Sequence, residues 1–386
     1  MIFNNFVKLL QKNHIIARFL EDSYCRIPYY FSSGRALNPL SVVFLTTYRC
    51  NLRCKMCFYY NESEEANTLK TIKERGPEEL AVEQVYKLID ELSLMKVRVF
   101  TIHGGEPLLY KDFFKIAQYA QDKGLLVNFI TNGTLITEDF AKKIVEAKIN
   151  QITFSIDGPQ SVHDAVRNVP GTFQRMLSGI RNICSLKEQG HAIPNLSVST
   201  YISAINQSYL SEIVQILHQY GIKSWGAGLV TYNSEKLANS TRNILGLKSN
   251  IREGSLEHLS DSMIFIDKGT LSKQKREIID LNKNYKIDIY FPSDKAIDKY
   301  DDPSFNEADR CFYPWARVVI SPYGEVFPCI NLAMVGFSLG NIKDEPLSKI
   351  WNSQKFREFR RKLRTRKLLP ICSKCCTING IRKLRN

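Results

Sequence analysis

The sequence has 386 residues, of which 44% are apolar and 24% are charged, a composition typical of a folded globular protein. It contains no run of about 18 apolar residues, so it predicts no membrane span. The N-terminus lacks the pattern of a secretory signal, and we therefore expect a cytoplasmic protein. Its ten cysteines should then stay reduced, which favours metal binding over disulfide formation.

The chain is basic, with 53 Lys and Arg residues against 39 Asp and Glu residues and a formal net charge of +14. Part of this charge falls in the segment KFREFRRKLRTRK at 355–367, which has the pattern of a basic helix. Such a charge can attract nucleic acid, an anionic lipid surface or an acidic substrate. Charge runs most often form a solvated helix face, so nucleic-acid binding is an alternative and not the favoured interpretation.

From residue 41 to residue 230, short apolar runs alternate with longer amphipathic stretches, the pattern of repeated βα units around a parallel sheet. The predicted strands are 41–47, 97–103, 125–131, 151–156, 196–202 and 222–230. The predicted helices between them are 79–95, 112–123, 138–147, 172–189 and 207–220. With right-handed crossovers, the six strands should form an α/β fold, a partial (β/α)6 TIM-like barrel.

The barrel is predicted to occupy 39–230 and to follow a helical extension at 1–38. Residues 231–310 are more polar and less regular, and we interpret them as a bridging region with one extended run at 286–291. After Cys311, the sequences ARVVIS and EVFPC flank a Pro-Tyr-Gly turn, which predicts a β-hairpin. This hairpin, a helix and a terminal cysteine knuckle should form a small C-terminal domain at 311–386.

Three cysteines follow the first predicted strand in the sequence Cys50-Asn-Leu-Arg-Cys54-Lys-Met-Cys57. Three thiolates this close on one loop can hold three corners of a cubane [4Fe–4S] cluster and leave the fourth iron open. An open coordination position is typical of a reactive metal site. The alternatives are a zinc knuckle or ordinary buried thiols. Cys25 and Cys184 lie apart from this loop and from the C-terminal cysteines, and they are predicted to be free thiols.

Polar motifs also follow the next three predicted strands. They are HGGEP at 103–107, TNG at 131–133 and SIDG at 155–158, and the segment HDAVR follows at 163–167. Because the active site of a βα barrel forms at the carboxyl ends of its strands, these motifs should meet the cysteine loop at one rim. Glycines allow a ligand to approach the backbone, and a carboxylate can accept hydrogen bonds from an ammonium group. Taken singly, each motif is also consistent with turn chemistry or a surface charge.

The C-terminal region contains a second group of cysteines. A hairpin that brings Cys311 and Cys329 together, joined by the CxxC pair Cys372 and Cys375, would supply four thiolates for a second cubane. The CxxC spacing favours Cys375 as the fourth ligand, with Cys376 as the alternative. A zinc ribbon would use the same four sulfurs.

The CxxxCxxC loop and the GGEP motif together resemble the signature of the radical S-adenosylmethionine superfamily. In that family the open iron binds S-adenosylmethionine, whose reductive cleavage gives methionine and a 5′-deoxyadenosyl radical that removes hydrogen from a substrate. The resemblance implies an oxygen-sensitive enzyme whose cluster is held by Cys50, Cys54 and Cys57. It also implies contacts with S-adenosylmethionine at Gly104, Gly105, Glu106, Asn132, Ser155, Asp157 and Arg167. Met56 departs from the aromatic residue that often precedes the third cysteine.

The resemblance implies a role for several of these positions. The backbone and the acidic side chain of the GGEP motif would meet the amino group of S-adenosylmethionine. The region of Ser155 and Asp157 would lie near the ribose and the carboxylate, and Arg167 is a candidate to pair with the methionyl carboxylate. An electron donor such as flavodoxin or ferredoxin is the implied partner.

The C-terminal cysteine spacing resembles the SPASM and shortened twitch-type extensions of the same superfamily. This resemblance implies one auxiliary [4Fe–4S] cluster, held by Cys311, Cys329, Cys372 and Cys375. A fully ligated cluster should transfer electrons or shape the pocket, so the main hypothesis is a radical oxidoreductase or maturase acting on a small molecule or peptide. The alternatives are a redox-neutral radical epimerase, a bond-forming peptide maturase and, from another class, a zinc-binding protein that interacts with nucleic acid.

Overall fold

The computed structural model describes residues 14–57, 59, 78–231, 234–247, 261–302, 305–373, 375 and 381–384. The six strands predicted for the barrel are present, and each pairs in parallel with the next. They are β1 (Ser41–Leu45), β2 (Val99–His103), β3 (Leu126–Thr131), β4 (Gln151–Ser155), β5 (Asn195–Ile202) and β6 (Ser224–Leu229). Their ends differ from the predicted ends by about one or two residues, the usual uncertainty of element boundaries.

The predicted helices between these strands are confirmed, and one more is present. The first seven helices are α1 (His14–Phe31), α2 (Val82–Leu94), α3 (Phe113–Asp122), α4 (Glu138–Glu146), α5 (Gln160–Arg167), α6 (Thr172–Glu188) and α7 (Leu210–Gln219). In α2 the buried residues recur at helical spacing, so that one face of the helix packs on the sheet. Helix α5 was not predicted as a separate element because it is short and because it follows directly after Pro159.

The two faces of the barrel sheet differ in burial. Large apolar side chains such as Phe44, Phe100 and Phe154 alternate along the strands and are fully buried. Residues of the opposite face, such as Thr101 and Thr153, stay partly accessible. Because successive side chains of a strand point to opposite faces, the apolar set packs under the helices and the polar set lines the inside of the barrel.

The bridging region adds a strand to the same sheet. Its elements are α8 (Glu235–Leu245), α9 (Asp261–Ile264), α10 (Lys268–Tyr285), β7 (Asp288–Pro292) and α11 (Asp294–Asp298). The extended run predicted at 286–291 corresponds to β7, which pairs in parallel with β6 through Gly226 and Tyr290. This run was not predicted to belong to the barrel sheet, because the long polar connection before it hides the βα repeat.

The C-terminal region contributes strands at both edges of that sheet. Its elements are β8 (Arg317–Ile320), β9 (Glu325–Phe327), α12 (Ile330–Met334), β10 (Gly340–Asn341), α13 (Leu347–Trp351), α14 (Gln354–Arg366) and β11 (Ile381–Lys383). Strands β8 and β9 form the predicted hairpin, with Gly324 at a φ of +90° in the turn. Strand β8 also pairs in parallel with β1, and β11 pairs in antiparallel fashion with β7. The order across the described sheet is β10-β9-β8-β1-β2-β3-β4-β5-β6-β7-β11.

The basic segment at 355–367 forms most of α14, and it is more than a solvated helix face. Arg360 is fully buried, and its Nε donates to the carbonyl oxygen of Pro314 at 2.8 Å. Arg364 donates to the carbonyl oxygens of Tyr29 and Ser32, both at 2.7 Å. Helix α14 therefore holds the end of α1 against the C-terminal region. Within the described ranges, no helix combines the length and apolar character that a bilayer crossing requires.

Candidate active site

The first cysteine loop leaves the carboxyl end of β1 and is compact. The backbone nitrogen of Cys57 donates to the carbonyl oxygen of Cys54 at 3.0 Å, and the nitrogen of Leu52 donates to the sulfur of Cys50 at 3.4 Å. Burial raises the pKa of Cys50 to about 12, and the nearby charges of Glu106, Cys54 and Cys57 act in the same direction. The three loop cysteines and Glu106 therefore lie close enough together for the charges of the others to affect the pKa of Cys50.

Gly104 and Gly105 lie against the backbone that leads into this loop. The nitrogen of Gly105 donates to the carbonyl oxygen of Thr47 at 2.7 Å, and the nitrogen of Glu106 donates to that of Arg49 at 2.9 Å. A Cβ on Gly105 would lie 2.6 Å from the carbonyl oxygen of Tyr48 and closer still to that of Arg49. The two glycines therefore allow two strand ends to approach each other.

Glu106 is the buried acidic residue of this rim. Its Oε1 accepts from Thr131 Oγ1 at 2.8 Å and from the nitrogen of Leu108 at 3.3 Å, and its Oε2 accepts from the nitrogen of Asn132 at 2.9 Å. Burial raises the pKa of Glu106 to about 7, although these hydrogen bonds favour the charged form. These three hydrogen bonds fix the carboxyl group in position.

Asn132 joins the end of β3 to the cysteine loop. Its Nδ2 donates to Oδ1 of Asn51 at 2.9 Å, and Asn51 in turn donates to Thr134 Oγ1 at 2.8 Å. Asn132 Oδ1 accepts from the backbone nitrogen and the hydroxyl of Thr134. Asn51 and Thr134 were not predicted as partners of Asn132, although Asn51 lies inside the cysteine motif. Ser155 lies half-buried at the end of the neighbouring strand β4.

A buried ion pair connects the end of β4 with the same loop. Asp157 Oδ2 lies 2.6 Å from Nη2 of Arg167, and Nη1 of Arg167 donates to the sulfur of Cys54 at 3.6 Å. Burial opposes the charge of Arg167, but Asp157 and Cys54 together raise its pKa above the usual range. His163, which the sequence analysis did not select, accepts from the nitrogen of Asp157 at 3.3 Å through Nδ1. Burial lowers the pKa of His163 well below its usual value, and the charge of Arg167 acts in the same direction.

The four C-terminal cysteines of the predicted second site come together. Burial raises the pKa of Cys311, Cys329 and Cys372, and the charges of their neighbours within this group, including Cys375, add to that rise. Cys329 is the N-terminal cap of α12, and the nearby backbone of Asn331 and Leu332 partly offsets the rise in its pKa. The alternative ligand Cys376 lies outside the described residues.

An aromatic cluster packs the first cysteine loop against the C-terminal hairpin. Its buried members are Leu45, Tyr48, Tyr59, Val319, Tyr323, Phe327 and Ala333, and Cys50 and Cys57 pack against it. The ring of Tyr48 lies 4.7 Å from that of Tyr59 and 5.9 Å from that of Tyr323. Phe327 belongs to the strand that precedes Cys329, so the cluster reaches from the first loop to the C-terminal hairpin. Cys25 and Cys184 lie elsewhere, in α1 and α6, and neither forms a disulfide.

The donor sets of both groups fit iron–sulfur clusters. Each group consists of cysteines held on short loops, and thiolates are the ligands that such clusters use. In the parts of the chain that the structure describes, no three His, Cys, Asp or Glu side chains are arranged to hold one metal ion. A cubane has a different requirement, because its thiolates bind separate iron atoms and need not converge on one point.

The fold and these two cysteine groups define a class of βα barrels that use iron–sulfur clusters at the carboxyl ends of their strands and in a C-terminal extension. The radical SAM superfamily profile matches residues 44–215, and the SPASM profile, an iron–sulfur cluster-binding domain, matches residues 311–376. The chain belongs to the radical S-adenosylmethionine superfamily and carries a SPASM domain. It is therefore a radical enzyme whose cofactors are S-adenosylmethionine and iron–sulfur clusters.

Similar proteins have several activities. An AdoMet-dependent heme synthase of Oleidesulfovibrio alaskensis is 28% identical over 324 residues, which cover 81% of this chain and 75% of that protein. The mycofactocin maturase MftC of Mycolicibacterium smegmatis is 30% identical over 184 residues, which cover 47% of this chain and 43% of that protein. The crystal structure of Streptococcus suis SuiB bound to S-adenosylmethionine aligns with 93% of this chain and 78% of its own, with a TM-score of 0.61 and 13% identity. The last comparison supports the fold alone.

Proposed function

We propose that this chain is a radical S-adenosylmethionine oxidoreductase that oxidises a small molecule of the tetrapyrrole class. In this proposal Cys50, Cys54 and Cys57 hold a [4Fe–4S] cluster with one open iron. One auxiliary [4Fe–4S] cluster is held by Cys311, Cys329, Cys372 and Cys375. The observation that carries the proposal is the second group, because four gathered thiols leave no open iron and so suit electron transfer better than substrate binding.

When bound, the first cluster supplies the electron that cleaves S-adenosylmethionine, and the auxiliary cluster offers a site for an electron from the substrate radical. The aromatic cluster around Tyr48 and Tyr323 supports this division, since it packs the first cysteine loop against the C-terminal hairpin that leads to Cys329. An electron donor such as flavodoxin or ferredoxin would serve the first site.

Several residues of the rim would bind S-adenosylmethionine. Glu106 would accept a hydrogen bond from the ammonium group of S-adenosylmethionine. Asn132, which donates to both Glu106 and Asn51, would hold the carboxyl group of Glu106 in position beside the cysteine loop. Ser155 would lie near the ribose. Arg167 is already paired with Asp157 and Cys54, so we assign it to positioning the loop and the carboxylate of Asp157.

The substrate class rests on the relatives that match most of the chain. The heme synthase of Oleidesulfovibrio alaskensis matches across 81% of the chain, whereas the maturase MftC matches across 47%. Bond formation in a peptide is the second candidate, because the shorter match to MftC has the slightly higher identity of 30%. Redox-neutral epimerisation is the third candidate.

The test begins with protein purified and reconstituted without oxygen. We expect about eight irons per chain, falling to about four in the triple variant Cys50→Ala/Cys54→Ala/Cys57→Ala, with Cys184→Ala as the matched cysteine control. Dithionite and S-adenosylmethionine should give 5′-deoxyadenosine with the intact protein and not with the triple variant. Tightly bound zinc without 5′-deoxyadenosine would refute the proposal and lead to tests of nucleic-acid binding.

Product analysis separates the candidate reactions. Iron coproporphyrin III serves as the tetrapyrrole probe, and the mass of the product is followed together with 5′-deoxyadenosine. Oxidation changes the mass of the substrate, whereas epimerisation leaves it the same. A product formed only from a precursor peptide would favour the maturase.

A further inference from the structure

The inner face of β5, β6 and β7 contains two accessible tyrosines. Tyr201 on β5 is 42% exposed and Tyr290 on β7 is 36% exposed. Their sequence neighbours Thr200, Ile202 and Phe291 are buried. Because adjacent residues of a strand face opposite sides, the buried set faces the helices and both tyrosines face the inside of the barrel.

Strand β6, which lies between these tyrosines, presents glycines to the same face. Tyr201 is directly opposite Gly228, and Tyr290 is directly opposite Gly226. A Cβ on Gly226 would meet no atom within 4 Å, so this position borders open space. Gly226 does not have a positive φ, so its backbone conformation does not require a glycine at this position. A glycine inside a strand often marks the close approach of a ligand.

The dimensions of this gap suit a flat ring. Neighbouring strands lie about 4.8 Å apart, and the two tyrosines are staggered by two residues along β6, so their backbones are separated by about 12 Å. Two aromatic contacts in series, each with centroids about 4.5 to 7 Å apart, span about the same distance. A planar conjugated ring placed over β6 can therefore contact a tyrosine on each side.

The gap is continuous with the rim of the active site. Ser199, which is directly opposite Gly226, is also directly opposite Ser155 at the end of β4. The backbone of Tyr201 offers a hydrogen bond to the carboxylate of Asp157, the partner of Arg167. A ring held over Gly226 would thus lie next to the residues proposed to bind S-adenosylmethionine.

We propose that Tyr201, Gly226 and Tyr290 form a slot that holds the flat conjugated ring of the substrate between two tyrosines. The inference rests on the proposed function, because it assigns a binding position to its tetrapyrrole substrate. The tyrosines supply aromatic contacts, and the glycine supplies the room between them. This slot determines which substrates enter the barrel, whereas the cysteine groups determine the chemistry.

The test measures the affinity of the reconstituted protein for coproporphyrin III through the change in its absorbance. Gly226→Phe fills the slot and should weaken binding about tenfold or more, while Gly226→Ala adds one methyl group in open space and should stay within about twofold. Tyr201→Ala and Tyr290→Ala should each weaken binding about threefold to tenfold, and Tyr201→Phe and Tyr290→Phe should restore it. Tyr30→Ala, at a 45% exposed tyrosine of α1, is the matched control.

Melting temperature and iron content show whether each variant is folded. The slot is refuted if folded Gly226→Phe and the two alanine variants bind coproporphyrin III as tightly as the parent protein. A parent protein that forms 5′-deoxyadenosine but binds no coproporphyrin III, or binds only an aromatic peptide, refutes the tetrapyrrole substrate of the proposed function and the slot with it. A parent protein that contains its clusters and forms no 5′-deoxyadenosine refutes the radical reaction of the proposed function. Unchanged binding by the folded variants refutes the slot alone, so the failures are distinct.

Discussion

The buried carboxyl group of Glu106 should make the stability of the metal-free protein depend on pH in a defined direction. Its pKa is raised from 4.5 to about 7, chiefly by burial. The unfolded chain loses this proton near pH 4.5 and the folded chain near pH 7, so between these values the folded state binds more protons. Stability from this group is therefore lost as the pH rises through that window.

The magnitude follows from the size of the shift. A displacement from 4.5 to about 7 corresponds to about 3 kcal/mol of unfolding free energy lost between about pH 4.5 and pH 8. The variant Glu106→Gln cannot ionise, so its stability relative to the parent should rise by about this amount over the same range. The amide of Gln cannot accept from both the Asn132 nitrogen and Thr131, which subtracts about 1 to 3 kcal/mol at every pH.

The assay is urea unfolding of both proteins without iron, at several pH values and without oxygen. Glu146→Gln, a change at an exposed side chain of α4, is the matched control. The test depends on how the difference in unfolding free energy between Glu106→Gln and the parent protein changes with pH. The lost hydrogen bond changes this difference by the same amount at every pH, so it does not affect the slope. A difference between Glu106→Gln and the parent that is constant from pH 4.5 to pH 8 would refute the reasoning.

Three further predictions concern other parts of the molecule. Gly105→Ala should place a Cβ against the carbonyl oxygens of Tyr48 and Arg49, just before the cysteine loop. This contact should lower the unfolding free energy by about 1 to 3 kcal/mol. It should also lower the iron content of the first site, which iron analysis measures. Arg360→Ala should lower the unfolding free energy by about 3 kcal/mol, because it removes a buried group that donates a hydrogen bond to the carbonyl oxygen of Pro314. The control Arg361→Ala, at an exposed position, should lower it by less than about 0.5 kcal/mol. Denaturant titrations measure both values. Cys375→Ser should reduce the iron count by about four and Cys376→Ser should leave it the same, and the reverse result would make Cys376 the ligand.

The parts of the site that sequence could predict are those fixed by strand order. Glu106, Asn132 and Asp157 follow successive strands, and parallel pairing alone brings their positions to one rim with the cysteine loop. The barrel itself followed from the alternation of short apolar runs and amphipathic stretches, which is a local pattern. The predicted hairpin at Gly324 was likewise readable from its turn residues.

What sequence could not predict depends on contacts between distant residues. The contacts of Gly105 are with carbonyl oxygens some 55 residues earlier in the chain, a separation that no local pattern encodes. The ion pair of Arg167 with Asp157 and its contact with Cys54 depend on how α5 packs beside the loop. Strands β7, β8 and β11 were missed as parts of the barrel sheet for the same reason, since their partners lie far away in sequence.

The pairing of β8 with β1 positions the C-terminal hairpin relative to the first cysteine loop. The first loop leaves β1 at Leu45, and the C-terminal hairpin begins with a strand hydrogen-bonded to that same β1. Val318 and Ile320 of β8 are buried in the main core, so the C-terminal region is packed as part of the barrel and is not attached by a flexible linker. Removing it would expose a long edge of β1 and the apolar surface beneath it. The position of the C-terminal hairpin relative to the first cysteine loop is therefore fixed by strand pairing, as the proposed role of the auxiliary cluster requires.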